Sequence, residues 1–433
     1  MSAPVRGPST NAAGWSAWRV VVAFGVVSLA VDLVADGARS VAGPLLGQLG
    51  ANALTVGLIT GGSEALGFIL RLISGPAVDR SKRYWGWAIG GYALTALSVP
   101  LLALTPFLGT VGLGVAASLI IIERIGKAVR SPAKTVLLSF PASAVGRGRG
   151  FAVHKTLDQV GAFSGPLLVA AVIAATGALW PAFAALALPG LVALVLLLCI
   201  RHRVPDPSVY EPAAETAATA RAVGEEASVD AAATVAHAEA PRRRLPVTFV
   251  LFSASTGLSA FGMVGFGVIS FHLTNANLVT LAAVPLVYAA GMLVAALAAL
   301  ASGRVYDAIG GAVLLSVPVL VAAVPLLTLS RSLPAVLVGV GLWGAAVGIQ
   351  DSTVKALVAD LVASPRRGTA YGVFAVFQGA GTFTGAALAG ALYSNPVMLS
   401  AITIPVQVVA FVLLSVVVRR QHRVSRGEER SGT

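Results

Sequence analysis

The chain has 433 residues, of which 57% are hydrophobic and 11% charged; its mean hydropathy is +0.86 and its formal net charge +12. Soluble proteins carry about 25% charged residues. A water-soluble globule, a disordered chain, a fibrous repeat and a nucleic-acid-binding module are therefore excluded, which leaves a polytopic membrane protein. The single Cys199 excludes an internal disulfide and a cysteine-built metal site, and the five histidines lack the i,i+4 spacing of a ligand pair, so neither metal nor cofactor is expected.

A helical crossing needs about 20 apolar residues. Twelve runs meet that length, at 17–47, 53–75, 85–106, 108–138, 151–176, 180–200, 247–272, 279–302, 311–330, 334–358, 369–393 and 396–418. The expected fold is all-α and integral to the membrane. With the N-terminus inside, 21 of the 30 basic residues fall on one side, Arg331 alone on the other, and eight within spans. This positive-inside asymmetry puts both termini in the cytoplasm, with the chain in a bacterial cytoplasmic membrane. No small-residue cleavage site follows the first run, so no cleavable signal is expected.

Span one carries Asp32, Asp36 and Arg39 at i, i+4 and i+7, which puts them on one helix face. They read equally as a salt-bridge ladder or as a functional set. Span two carries Glu64 and Arg71, again on one face, and ends in the turn Gly75-Pro76-Ala77-Val78-Asp79-Arg80-Ser81-Lys82-Arg83. Span four carries Glu123, Lys127, Arg130 and Lys134 as one stripe, with Arg124 about 100° off it. Span five opens with His154 and Asp158 one turn apart; His154 is expected at the cytoplasmic interface. The polar stretch 201–245, rich in Ala and Glu, reads as a disordered or weakly helical linker. The second half is drier: Tyr288, Gln350, Asp351, Lys355, Gln378 and Gln407 are its interior candidates. A lone charge at mid-membrane costs about 2.5–3.5 kcal/mol. The carboxylates Asp32, Asp36, Glu64, Glu123, Asp158 and Asp351 must therefore pair with cations, face the bundle interior or line a wet cavity.

The halves repeat. The turn Gly303-Arg304-Val305-Tyr306-Asp307-Ala308-Ile309-Gly310 follows span eight as the Gly75–Arg83 turn follows span two. Arg147-Gly148 opens span five as Arg367-Gly368 opens span eleven; Gly161 and Gly165 match Gly381 and Gly385, and Asp158 matches Gln378. The glycine pairs suit close helix packing. Internal repeats of this kind mark many transporters. The domains expected are an N-terminal six-helix bundle at 1–200, a cytoplasmic linker at 201–245, a C-terminal six-helix bundle at 246–420 and a cytoplasmic tail at 421–433.

This layout, with the G-x-x-x-D-R-x-x-R turn, resembles the major facilitator superfamily over nearly the whole chain. Gly75, Asp79, Arg80 and Arg83 match its motif A, with Lys82 in place of the usual Gly; Gly303, Asp307 and Gly310 match a second copy that lacks the basic cluster. Gly161-Ala162-Phe163-Ser164-Gly165-Pro166 is similar to the first part of the antiporter motif, whose closing glycines are Val169-Ala170 here. Glu123 to Pro132, with Arg147 to Phe151 and His154, resembles a prokaryotic branch whose substrate the resemblance does not supply. The resemblance implies two pseudo-symmetric bundles rocking about a central site, with Asp79, Asp307 and Arg130 in a cytoplasmic gate; Arg130 and Lys134 also suit snorkelling.

No G-x-x-x-x-G-K-[ST] sequence occurs, so energy comes from a gradient or a partner. Desolvation favours a neutral carboxylic acid and a nearby cation favours its charged form. Glu64 and Glu123, then Asp32, Asp36 and Asp158, are thus candidates for proton coupling, with Arg39, Arg71, Arg124, Lys127, Asp351 and Gln378 as substrate contacts or counter-charges. The expected function is alternating-access transport of a small molecule, with proton-coupled export favoured over proton-coupled uptake of a small organic anion. A non-transporting sensor is the further alternative. An enzyme is not expected, because no nucleophile pairing or ligand set occurs; a monomer in the lipid bilayer suffices, with protons as coupling ion and no nucleic-acid partner.

Overall fold

A computed structural model describes residues 15–210, 245–362 and 367–431. The first half comprises α1 (Ala17–Ser40), α2 (Ala42–Gln48), α3 (Ala53–Ser81), α4 (Tyr84–Leu101), α5 (Gly112–Val145), α6 (Arg147–Thr176), α7 (Leu179–Ala185) and α8 (Ala187–Arg203). The second comprises α9 (Val247–Gly262), α10 (Phe266–Asn275), α11 (Val284–Ile309), α12 (Ser316–Thr328), α13 (Leu333–Leu361), α14 (Arg367–Ala391) and α15 (Pro396–Ser431). No strand occurs among the described residues. Eleven apolar helical segments are long enough to cross a membrane. The longest, the 48 residues Leu281–Thr328, is more than twice the length of one crossing. It breaks at Gly310, whose φ of 60° ends α11, and so supplies two of the twelve crossings expected.

Local chemistry sets the helix limits. Asn52 caps α3, its side chain accepting from the Thr55 N–H at 2.9 Å. Gly146, at φ 95°, divides α5 from α6. Two crossings are interrupted: α1 gives way to α2 at Val41, and the α9–α10 crossing unwinds between Gly262 and Phe266. The hydropathy profile hides both breaks, since every residue there is apolar or glycine.

The matched glycines do the same work in each half. A side chain on Gly161 or Gly165 would run into the Leu29 or Leu33 carbonyl of α1; one on Gly381 or Gly385 would run into Gly257 or Phe261 of α9. Pseudo-symmetry is thus visible at the level of contacts, with α6 seated on α1 as α14 is on α9.

Three apolar cores result. At the end remote from the start of α1, the far end, one core draws on both halves, joining Val34, Leu45 and Leu46 to Phe266, Phe271, Tyr288 and Trp343. At the opposite, terminus end, each half keeps its own core. One contains Val20, Phe24 and Leu137, the other Phe249, Phe252 and Leu357, and they share no residue. Across the far end α3 packs on α14, α2 on α10 and α6 on α11.

Two boundaries shift from expectation. The start of the expected linker belongs to the first half: α8 runs to Arg203, Trp85 Nε1 donates to the Pro205 carbonyl at 2.9 Å, and the Tyr210 hydroxyl donates to the Trp15 carbonyl at 2.6 Å. The expected tail continues α15 as helix to Ser431. Residues 211–244, for which disorder or weak helix was expected, lie outside the described residues.

Candidate functional site

The polar side chains of α1, α3, α5 and α6 gather in the interior of the first half as two linked groups. In the group nearer the far end, Arg39 of α1 donates to Glu64 Oε1 of α3 at 2.7 Å and lies 4.0 Å from Asp36. Arg124 of α5 reaches Glu64 at 3.9 Å and its neighbour Glu123 at 3.3 Å. Glu123 is 6% exposed, and its Oε1 has no hydrogen-bond partner. Tyr288 of α11 closes this group from the other half, its hydroxyl donating to Asp36 Oδ1 at 2.7 Å. Phe266 and Trp343 flank the Tyr288 ring, at 4.6 and 6.2 Å between centroids.

The second group lies toward the terminus end. Arg130 is 3% exposed. It donates to Thr95 Oγ1 at 2.7 Å, lies 3.4 Å from Asp32 Oδ1 and stands over the Tyr92 ring at 5.1 Å. Asp158 of α6 is held by Lys155 at 2.9 Å and Lys134 at 3.7 Å. Ser28 joins α1 to this group through Tyr92, His154 and Lys134, at 3.4, 3.3 and 3.3 Å.

Several expectations change in detail. Asp32, Asp36 and Arg39 share a face but are no ladder. Asp36 stays with Arg39, whereas Asp32 turns to Arg130. Glu64 and Arg71 share a face without pairing: Glu64 takes Arg39, while the exposed Arg71 has its guanidinium 5.9 Å from the Phe68 ring. His154 is buried against Ser28 rather than at an interface, because α6 begins seven residues before it. Arg130 and Lys134 point inward rather than snorkel. The turn residues Asp79, Arg80, Arg83 and Asp307 are exposed, with open space beside Gly75 and Gly303, and among the described residues none of these four forms an ion pair.

Two cations are left over. Arg39, Arg124, Arg130, Lys134 and Lys155 each have a carboxylate within 4.0 Å. Lys127 lies under the influence of Asp32 and Asp36 but pairs with neither among the described residues, and the same holds for Arg71 with Asp351 of α13. From the second half, Gln350 Nε2 and Gln378 Oε1 are buried without a partner. Gln407, by contrast, donates to the Leu258 carbonyl and braces the break after Gly262, a structural role. The Lys355 side chain lies outside the described residues. Lys155, Trp343 and Phe266 join the site without having been expected there. For Lys155 the i,i+3 spacing to Asp158 is the signal that points to it. Trp343 and Phe266 sit in apolar runs, where an aromatic residue facing the site has no local mark to set it apart from one facing lipid.

The profile of the family described as Major Facilitator Superfamily matches residues 24–323 and 252–432. Uncharacterised proteins of Mycobacterium tuberculosis and Mycobacterium bovis are 48% identical over 413 residues, covering 95% of this chain and 94% of theirs. Among solved structures the fold is similar to the nucleoside transporter NupG in a point-mutant form (TM-score 0.68, 12% identity, 92% of this chain and 99% of that one). It is also similar to the xylose transporter XylE of E. coli in its inward open conformation (TM-score 0.66, 13% identity, 92% and 95%). A peptide transporter, POT, in a point-mutant form gives a TM-score of 0.68 at 15% identity, covering 94% and 95%.

Proposed function

The chain belongs to the major facilitator superfamily, a multi-pass membrane transporter rather than an enzyme, and from that premise we propose that it couples protons to the movement of a small solute bearing an anionic group. Arg71 and Lys127 carry this reading: two interior cations without an ion pair would be met by a negative charge on the cargo. Tyr288, Trp343 and Phe266 offer an apolar wall from the other half, and the free amide atoms of Gln350 and Gln378 offer hydrogen bonds. The charge asymmetry of the termini supports a cytoplasmic terminus end. The described conformation is then open to the cytoplasm and closed outside, in a carrier that needs only one copy of the chain.

Uptake with protons fits best. Arg39 and Arg124 both serve Glu64, and Arg124 also serves Glu123, so an arriving anion competes for the cations that hold these acids. An acid deprived of its cation takes a proton more readily. The export reading rests on the partial antiporter motif, but Gly161 and Gly165 are accounted for by the seat of α6 on α1. Right-side-out vesicles with an acid exterior, offered a panel of labelled small organic anions, test the reading. Accumulation in wild type, with the dependence on the pH gradient lost in Glu123→Gln, is the expected result. Everted vesicles with an acid lumen test export. Recovery of a quenched pH dye on adding apolar drugs, with no anion uptake, would reverse the assignment.

A further inference from the structure

One cluster of polar side chains lies apart from the site described above, at the far end. His272, in the last turn of α10, is 5% exposed, and both its ring nitrogens are bonded. Nε2 lies 2.8 Å from the Ser330 carbonyl, in the connection from α12 to α13; Nδ1 lies 3.0 Å from the Tyr393 hydroxyl, in the connection from α14 to α15. Asn275 Nδ2 donates to that hydroxyl at 3.2 Å. A carbonyl oxygen only accepts, so Nε2 carries the hydrogen of the neutral ring and Nδ1 the lone pair. The bonds then run one way, from Asn275 to Tyr393 to His272 to Ser330, and tie the end of α10 to two connections of the second half. This cluster backs the contact between the halves. The Tyr393 ring meets Phe271 in a T-shaped pair at 5.6 Å, and a side chain on Gly47 of α2 would come 3.1 Å from the Phe271 ring. Three residues before Tyr393, a side chain on Gly390 would run into the Ala53 carbonyl of α3. Both contacts join one half to the other.

A proton on Nδ1 turns that atom from acceptor to donor. Two donors then converge on the Tyr393 oxygen, and the Tyr393 hydrogen loses its acceptor. The new charge meets no carboxylate: the far-end connections hold no Asp or Glu, and their one charged residue is Arg331, next to Ser330. Of the elements packed on α10, α2 carries no titratable group, and α14 carries Arg367 and Tyr371 at its terminus end. Those nearest on α1, α3 and α11 are Asp36, Arg39, Glu64 and Tyr288, which bond to one another in the interior group. We propose that His272 is a proton-operated latch on the far end: neutral, it holds Tyr393, and through it Phe271, against the first half; protonated, it lets them go. Imidazole changes charge between pH 5 and 8, and a charge without a partner gains most where water reaches it. Acid on the far side therefore favours the conformation open at the far end, in which the first half has withdrawn from Phe271. The latch needs no proton carried through the interior, so it stands apart from the proton-coupled reading.

The test is conformational, so it needs no identified cargo. The full chain, in a Cys199→Ser background, goes into lipid nanodiscs with one of two spin-label pairs, all at exposed positions. Ala175→Cys with Thr280→Cys spans the far end, and Ala144→Cys with Ala308→Cys spans the terminus end. Distances are read from pH 5 to 8. One linked proton changes the ratio of the two conformations by up to about tenfold per pH unit. Wild type is expected to show that response, the far-end distance lengthening and the terminus-end distance shortening in acid. His272→Gln should cut it to less than about twofold over the whole range. Tyr393→Phe keeps the imidazole but removes the hydroxyl it holds, so at pH 8 it should already show the open far end that wild type shows only in acid. A wild type indifferent to pH overturns the latch, and so does a Tyr393→Phe protein that stays closed at pH 8. A full response surviving in His272→Gln also overturns it, assigning the proton to the interior acids and leaving the proton-coupled reading intact.

Discussion

The two ends of the molecule are closed by different physics. At the far end the halves share one apolar core, and the connections there carry Arg331 as their one charged residue. Backbones meet directly: a side chain on Gly57 would strike the Ala386 carbonyl, and one on Gly43 the Gly267 carbonyl. At the terminus end the cores are separate, and Arg71, Lys155 and Asp351 are exposed charges on helices of the two halves. Close packing is all-or-none, because a gap of an ångström forfeits much of the dispersion energy. Charges act over longer distances and respond to protons and solutes. One end therefore has the build of a seal and the other, on the proposed reading, that of a sensor, and the seal is tied to the charged interior through Tyr288 on Asp36.

Breaking the seal gives the largest effect. Gly57→Leu places a side chain where the Ala386 carbonyl sits, a clash that exists only while the far end is closed. Overpacking of this kind costs about 3 kcal/mol, roughly a hundredfold shift toward a far-end-open state. An impermeant maleimide should then label Ala51→Cys, buried in the shared core, and transport should stop. Unchanged protection of that cysteine would mean the far end is not sealed by backbone contact. Tyr288→Phe removes one hydrogen bond to a carboxylate, worth about 1.5 kcal/mol. The same labelling should rise roughly tenfold. Unchanged labelling would sever the seal from the charges.

The seal was largely legible in the sequence and the sensor was not. Lipid demands about 20 apolar residues per crossing, so hydropathy alone locates the crossings seen among the described residues. The repeated glycine pairs marked α6 and α14 for close packing, because a glycine pair four apart makes a flat face; that α1 and α9 lie opposite came only from the fold. Helical periodicity also puts Asp32, Asp36 and Arg39 on one face, but a face is not a partner. Asp32 finds Arg130 and Asp36 finds Tyr288 because α5 and α11 approach different levels of α1, which no local pattern encodes. Spacing likewise puts Arg71 and Glu64 on one face two turns apart, and only the tertiary fold gives Glu64 to Arg39. The break between Gly262 and Phe266 escapes because unwound and helical apolar residues have the same hydropathy.

The smallest effect isolates the terminus end from the seal. Lys82 stands where the family's turn usually has glycine, and its φ of 51° lies in the left-handed region that side chains disfavour. Its N–H donates to the Val78 carbonyl at 3.0 Å to end α3, so the turn keeps its shape at some cost in backbone energy. Lys82→Gly should relieve about 1 kcal/mol, raising the melting temperature by about 1–2 °C in a chain of this size. It also removes a positive charge from a turn in which Asp79, Arg80 and Arg83 are exposed. If the turn latches only in the opposite conformation, the spin-label distances of the described state should stay the same while the melting temperature rises. A change in those distances would place Lys82 in the sensor, and the turn would then be part of the charged gap rather than a hinge beside it.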